Sequence, residues 1–211
     1  NDMTEAINNA AGVVGDLAGD AAMGFWGWPF EDPDQAVKAA RAALHILKRF
    51  HRRALQGQSE YRCGIGIAQG KAVAGEIGPS DFRKFGVFGP VVNLASRLEG
   101  MTKIINVPIL IDDNTAKLIA KYDPQCREFQ VRRFPVVRPA GMTVETRIYE
   151  LAERNTYGAD FIGIWEDAVN FFERGKWSRA ADKLDELEGH SDSSASKTSI
   201  SSLSNFLSDY M

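Results

Sequence analysis

The sequence predicts an α+β domain with a helical hairpin appended to it. Short runs rich in β-branched and aromatic residues, bounded by Gly, Pro and Asp turns, alternate with longer stretches whose apolar residues recur at helical spacing. After Tyr157 the strand-like runs stop and helical periodicity alone continues. The 211 residues are enough for one full core plus an added element. The boundary predicted from this change of character puts the first unit at residues 1–152 and the helical extension at 157–211.

A helix opens the chain, with Met3, Ile7 and Ala10 on one face. It begins in mid-pattern on Asn1, so upstream sequence is expected. From Gly12 to Pro29 two extended runs meet at Gly19-Asp20, a dipeptide that suits a hairpin turn and leaves a carboxylate at the bend. On its own, Asp20 reads first as a turn former. Phe25, Trp26 and Trp28 point to core or interface packing. Asp32-Pro33-Asp34-Gln35 reads as a helix start, with Asp32 as N-cap, Pro33 at the first helical position and Gln35 closing a capping box. Val37, Ala40, Leu44, Leu47 and Phe50 then follow helical spacing, and Lys48, Arg49, Arg52 and Arg53 read as a solvated helix end.

Two strands are predicted over 61–68 and 71–77, around Gly70. Gly64, Gly66, Gly70, Gly75 and Gly78 are frequent for strand interiors unless backbone approaches something closely. A turn at Pro79-Ser80-Asp81, a strand over 84–88 and a helix carrying Asn93 and Arg97 come next. The spacing then predicts a strand over 107–111, a helix over 113–122, and two closing strands over 134–137 and 146–151 around Pro139-Ala140-Gly141. Helices over 160–173 and 178–187, broken at Gly175, form the hairpin. Leu203, Phe206, Leu207 and Tyr210 read as a third helix or a docking tail.

Composition narrows the function. A net charge of −3 argues against a nucleic-acid binder that works by bulk electrostatics. Cys63 and Cys126 form no metal-type spacing and suit small buried apolar roles in a reducing compartment. His45, His51 and His190 are scattered, which gives no support to a histidine metal site or a serine triad. No apolar run approaches the roughly 18 residues needed to cross a membrane, so no membrane contact is expected from this segment, and a cytoplasmic location is expected.

Asn93 and Arg97 stand out because a four-residue spacing puts both on one helix face. The guanidinium offers a bidentate fork to phosphate oxygens, and the amide can hold a ribose oxygen. The plainer reading is a surface amide beside a solvated charge. Val91, Val92, Ala95 and Leu98 supply the core-facing stripe under either reading.

The order strand, helix, strand, strand, helix, strand is ferredoxin-like, an arrangement shared by many functions. From Gly12 to about Leu151 the residues resemble the class III nucleotidyl cyclase catalytic domain, the family of adenylate and guanylate cyclases. GDAAMGFWGWP is similar to its second-strand motif, and GIGIAQGKAVAGEIG followed by VFGPVVNLASRLE to its signature run. The resemblance implies a homodimer with shared active sites and two divalent cations, Mg²⁺ or Mn²⁺. It also implies a nucleoside triphosphate cyclised to a 3′,5′-cyclic nucleotide in signal transduction. It makes Asp20 a metal ligand, Asn93 the residue that orients the ribose, and Arg97 the one that stabilises charge on the α-phosphate.

The chain departs from the family pattern in three places. The family's first metal aspartate lies on a strand upstream of the second, before this chain begins. Its phosphate-binding lysine corresponds to a region that reads Val137-Arg138-Pro139-Ala140-Gly141, so Arg138 is the expected substitute. The base-reading positions are Asp16 and Gly86. An acidic group can accept hydrogen bonds from guanine N1 and N2 but not from adenine N1, so this pair leans toward GTP. The competing reading is a catalytically degenerate domain that acts as a dimerisation or nucleotide-binding module. A ferredoxin-like RNA-binding module is disfavoured by the charge and by the lack of a stacking aromatic motif.

Overall fold

The computed structural model describes residues 2–57, 63–77, 84–139 and 141–190. The turn at 79–81 and the helix expected over 203–210 lie outside these residues. Helix α1 (Asp2–Asn9) leads into the antiparallel hairpin β1 (Val13–Ala18) and β2 (Ala21–Phe25), which turns at Gly19-Asp20 as expected. Gly19 sits at φ 62, a left-handed conformation that glycine adopts without strain. Helix α2 (Gln35–Leu55) starts later than the capping-box reading requires. Asp32 instead closes a turn, its Oδ1 accepting from Asp34 N at 3.0 Å, while Oδ2 pairs with Lys38 Nζ at 2.5 Å. Asp34 occupies the N-cap with no side-chain cap, so no capping box forms.

The strands expected over 61–68 and 71–77 are present in shorter form, as β3 (Ile65–Ile67) and β4 (Val73–Ile77), in different sheets. Strand β3 runs parallel to β6 (Ile109–Asp112), whereas β4 pairs antiparallel with β5 (Lys84–Phe88). The strand expected over 134–137 lies earlier, as β7 (Phe129–Arg133), and pairs with β8 (Ile148–Glu153). Between them only an isolated bridge joins Val137 to Thr146. The larger sheet has the order β3-β6-β8-β7. Helices α3 (Pro90–Ile105), α4 (Asp113–Tyr122), α5 (Ala159–Glu173) and α6 (Trp177–His190) complete the fold.

Side-chain alternation along β6 shows how the layers are built. Ile109 and Ile111 pack with α2 and α4 through Val37, Ala40, Leu44, Ala116 and Ile119. Leu110 faces the other way, into a core shared by Leu98 and Ile105 of α3, Trp165 and Val169 of α5, and Leu184 and Leu187 of α6. Both faces of β6 are covered, and so all four of its residues are buried. The hairpin α5–α6 therefore shares a core with the sheet.

Within that core Arg132 pairs with Glu150, Nε to Oε2 at 2.7 Å, and both are almost fully buried. The guanidinium lies 4.1 Å from the ring centre of Trp165 and 4.5 Å from that of Tyr157. The Tyr157 hydroxyl donates to Glu150 Oε1 at 3.0 Å. A buried pair of this kind persists when packing and hydrogen bonds compensate its desolvation.

Two more expectations are corrected at the surface. Arg49 and Arg53 are not simply solvated, because they clamp α1 to α2, Arg49 to Glu5 at 2.7 Å and Arg53 to Asp2 at 2.8 Å. Cys126 is exposed, at φ 49 in the turn before β7. Cys63 is half-buried, and burial, with Glu99 nearby, pushes its thiol above the usual range.

Candidate active site

Helix α3 is seated by glycine. A Cβ at Gly66 of β3 would collide with the Ala95 carbonyl and the Glu99 amide of α3, so helix and strand meet backbone to backbone. The close approach anticipated for this glycine run is thus to the protein's own helix. Gly89 caps α3, and Pro90 occupies its first turn. Asn93 and Arg97 are both exposed, one turn apart, while Leu98 beside them is fully buried.

Arg97 has a neighbour that the sequence did not reveal. Gly141 lies at φ 75, and a Cβ there would stand 3.2 Å from Arg97 Nη2. Gly141 therefore abuts the guanidinium, three residues on in sequence from Arg138. Arg138 itself is exposed and pairs with Glu145 at 3.3 Å.

Asp16, Asp20, Gly86 and Asn93 all border one open groove of about 2580 Å³. Arg97 and Arg138 are not among its lining residues. Asp20 is exposed at the hairpin bend. Asp16 is half-buried beside a β-bulge, and its Oδ1 accepts from Leu17 N at 2.7 Å. Gly86 is buried on β5 opposite Gly75. Among the described residues no group of three or more His, Cys, Asp or Glu gathers to hold a metal ion. The exposed Asp20 carboxylate fits the hard-oxygen chemistry of magnesium, which takes one or two carboxylates and completes its shell with water and phosphate oxygens.

The comparison that decides the family is a match over residues 7–142 to the family model of the adenylate and guanylate cyclase catalytic domain. The chain belongs to this family. Adenylate cyclase 1 of Rhizobium meliloti is 28% identical to this cyclase domain over 153 residues, 70% of the chain. The chain spans 22% of that relative's length. Two solved structures share the fold. The adenylyl cyclase CyaB of P. aeruginosa superposes with a TM-score of 0.61 at 24% identity, covering 75% of this chain and 81% of that one. The guanylyl cyclase Cya2 gives 0.60 at 24% identity, covering 74% and 78%.

Two buttressing carboxylates of the cyclase domain were missed from sequence. Asp112 caps α4, and its Oδ1 accepts from Thr115 N at 3.0 Å and from Gln69 N at 3.1 Å, which fixes the loop before Lys71. The signal was present as Asp112-x-x-Thr115 at a helix start. Glu173 ties together residues 26 to 40 positions away in sequence, a relation that no local pattern encodes.

Proposed function

We propose that the domain converts a nucleoside triphosphate into a 3′,5′-cyclic nucleotide and pyrophosphate, as a homodimer whose copies share each site. Residues 1–152 form the catalytic unit in this reading, and 157–211 the extension. The observation that supports it most is the exposed pair Asn93 and Arg97, one turn apart on α3, in a chain of this family.

In the reaction the ribose 3′-oxygen bonds to the α-phosphorus, the bond from that phosphorus to the β-bridging oxygen breaks, and the 3′-hydroxyl proton leaves to solvent. Asn93 holds the ribose so that the 3′-oxygen lines up, a matter of orientation. Arg97 spans the α-phosphate oxygens with its fork, where charge shifts in the transition state. Arg138 adds a cation for the outer phosphates, and Asp16 beside Gly86 receives the base. Two divalent cations, Mg²⁺ or Mn²⁺, held on one side by Asp20, supply charge neutralisation on the triphosphate. No helix among the described residues is long and apolar enough to cross a membrane.

The carboxylate of Asp16 in the groove favours GTP. The name of the Rhizobium relative favours ATP as the second reading. A regulatory, non-catalytic dimerisation or nucleotide-binding domain is the third, favoured by the atypical base-reading pair Asp16 and Gly86. Turnover of each nucleotide with manganese separates them: faster cyclic GMP formation is expected, faster cyclic AMP formation would remove the argument from Asp16, and no product from either nucleotide would favour the regulatory reading.

A further inference from the structure

One face of α5 carries Glu166, Asn170 and Glu173, spaced four and three residues apart. All three bind Arg133, the last residue of β7. Arg133 Nε reaches Glu166 Oε2 at 3.0 Å, Nη2 reaches Asn170 Oδ1 at 2.7 Å, and Nη1 reaches Glu173 Oε2 at 2.9 Å. The other oxygen of Glu173 accepts from Arg147 Nη1 at 3.0 Å and from the Val136 amide at 3.3 Å. Arg133 and Arg147 bracket the 134–147 loop. One carboxylate thus holds both ends of the segment whose Gly141 turn abuts Arg97.

We propose that Glu173 is a positioning residue. It anchors the 134–147 loop to the C-terminal hairpin and, through Gly141, sets the direction of the Arg97 guanidinium. The Arg133, Glu173 and Arg147 side chains are 17, 24 and 32% exposed, whereas Glu166 is 38% exposed and Asn170 is exposed, so the network holds by its number of hydrogen bonds rather than by burial. Trp165, Ala168 and Val169 of α5 belong to the core that also holds Leu110 and Ile148 of the sheet, which gives the anchor a rigid base. The part of this inference that concerns catalysis rests on the cyclase reading of Arg97, whereas the anchoring itself does not.

The test uses Glu173→Gln, which keeps size and removes charge, with Glu188→Gln on exposed α6 as the control. Amide hydrogen exchange should quicken at Val136, Met142 and Thr146 while α5 stays protected. Turnover should fall on the order of tenfold with KM nearly unchanged, less than the ~10²-fold expected for a full ångström of misplacement. In an Arg97→Ala background the same substitution should cost nothing further, whereas a merely structural role would lower both backgrounds equally. Unchanged loop exchange, or equal losses in both backgrounds, would overturn the proposal. An inactive unsubstituted protein would overturn the cyclase reading instead, and the exchange data would then decide the anchoring.

Discussion

Arg97 does its proposed work through a planar fork, so charge alone should not replace it. Arg97→Ala is expected to reduce cyclic-nucleotide formation on the order of 10²-fold or more, and Arg97→Lys should recover little of that loss. Retained turnover in Arg97→Ala would remove its assigned role. Gly141→Ala tests the neighbour: a side chain at φ 75, 3.2 Å from Arg97 Nη2, should lower turnover in a protein that still folds. A different residue contributes to acid stability. Asp123 accepts hydrogen bonds from the amides of Glu128, Arg127 and Phe129 at 2.7, 2.8 and 3.2 Å, which hold its carboxyl below the usual range. Its stabilising contribution is complete above the unfolded value of about 3.9 and disappears as pH falls through the lower folded value. Melting temperatures followed from pH 6 downward, to about pH 2, should show this loss in the native protein and a flatter acid limb in Asp123→Asn.

Among the elements, those with strong local signals were legible. The periodicity of α2, α4 and α5, the Gly19-Asp20 hairpin and the extent of β5 all follow from short-range patterns. Strand β7 was displaced because its start is set by Asp123 accepting from the amides of Arg127, Glu128 and Phe129; Asp123-Pro124 signals a turn, but not how far along the chain that turn reaches. Its pattern misleads as well, since Arg132 and Arg133 read as surface charges although Arg132 is buried against Trp165. The pairing of β3 was illegible because strand partners are chosen by tertiary packing, here by α3 lying on Gly66. In the candidate site, spacing placed Asn93 and Arg97 on one helix face but their proposed roles came from the family resemblance, while the Gly141 contact depends on a loop geometry that no local pattern encodes. Trp165 is the side chain most exposed to test at this scale. It is fully buried, its Nε1 donates to Arg133 O at 2.6 Å, and it covers the Arg132–Glu150 pair. Trp165→Ala should cost about 3–5 kcal/mol in denaturant unfolding, and a loss under about 1 kcal/mol would show that the hairpin is not part of the core.

At the scale of the whole molecule, the groove and Arg97 pose one question. Asp16, Asp20, Gly86 and Asn93 line a common groove in a single chain, but Arg97 and the Arg138 loop lie outside it. A shared site between two copies would let the metal-binding carboxylate of one chain meet the guanidinium of the other, with the triphosphate between them. Arg97 of α3 would then act on the partner's nucleotide. The most direct measurement is complementation in the whole protein. Asp20→Ala and Arg97→Ala are each expected to be nearly inactive alone. Co-expressed, they should regain roughly a quarter of native cyclic-nucleotide formation, because mixed dimers keep one intact site. A mixture as inactive as its two components would contradict a site built from both copies.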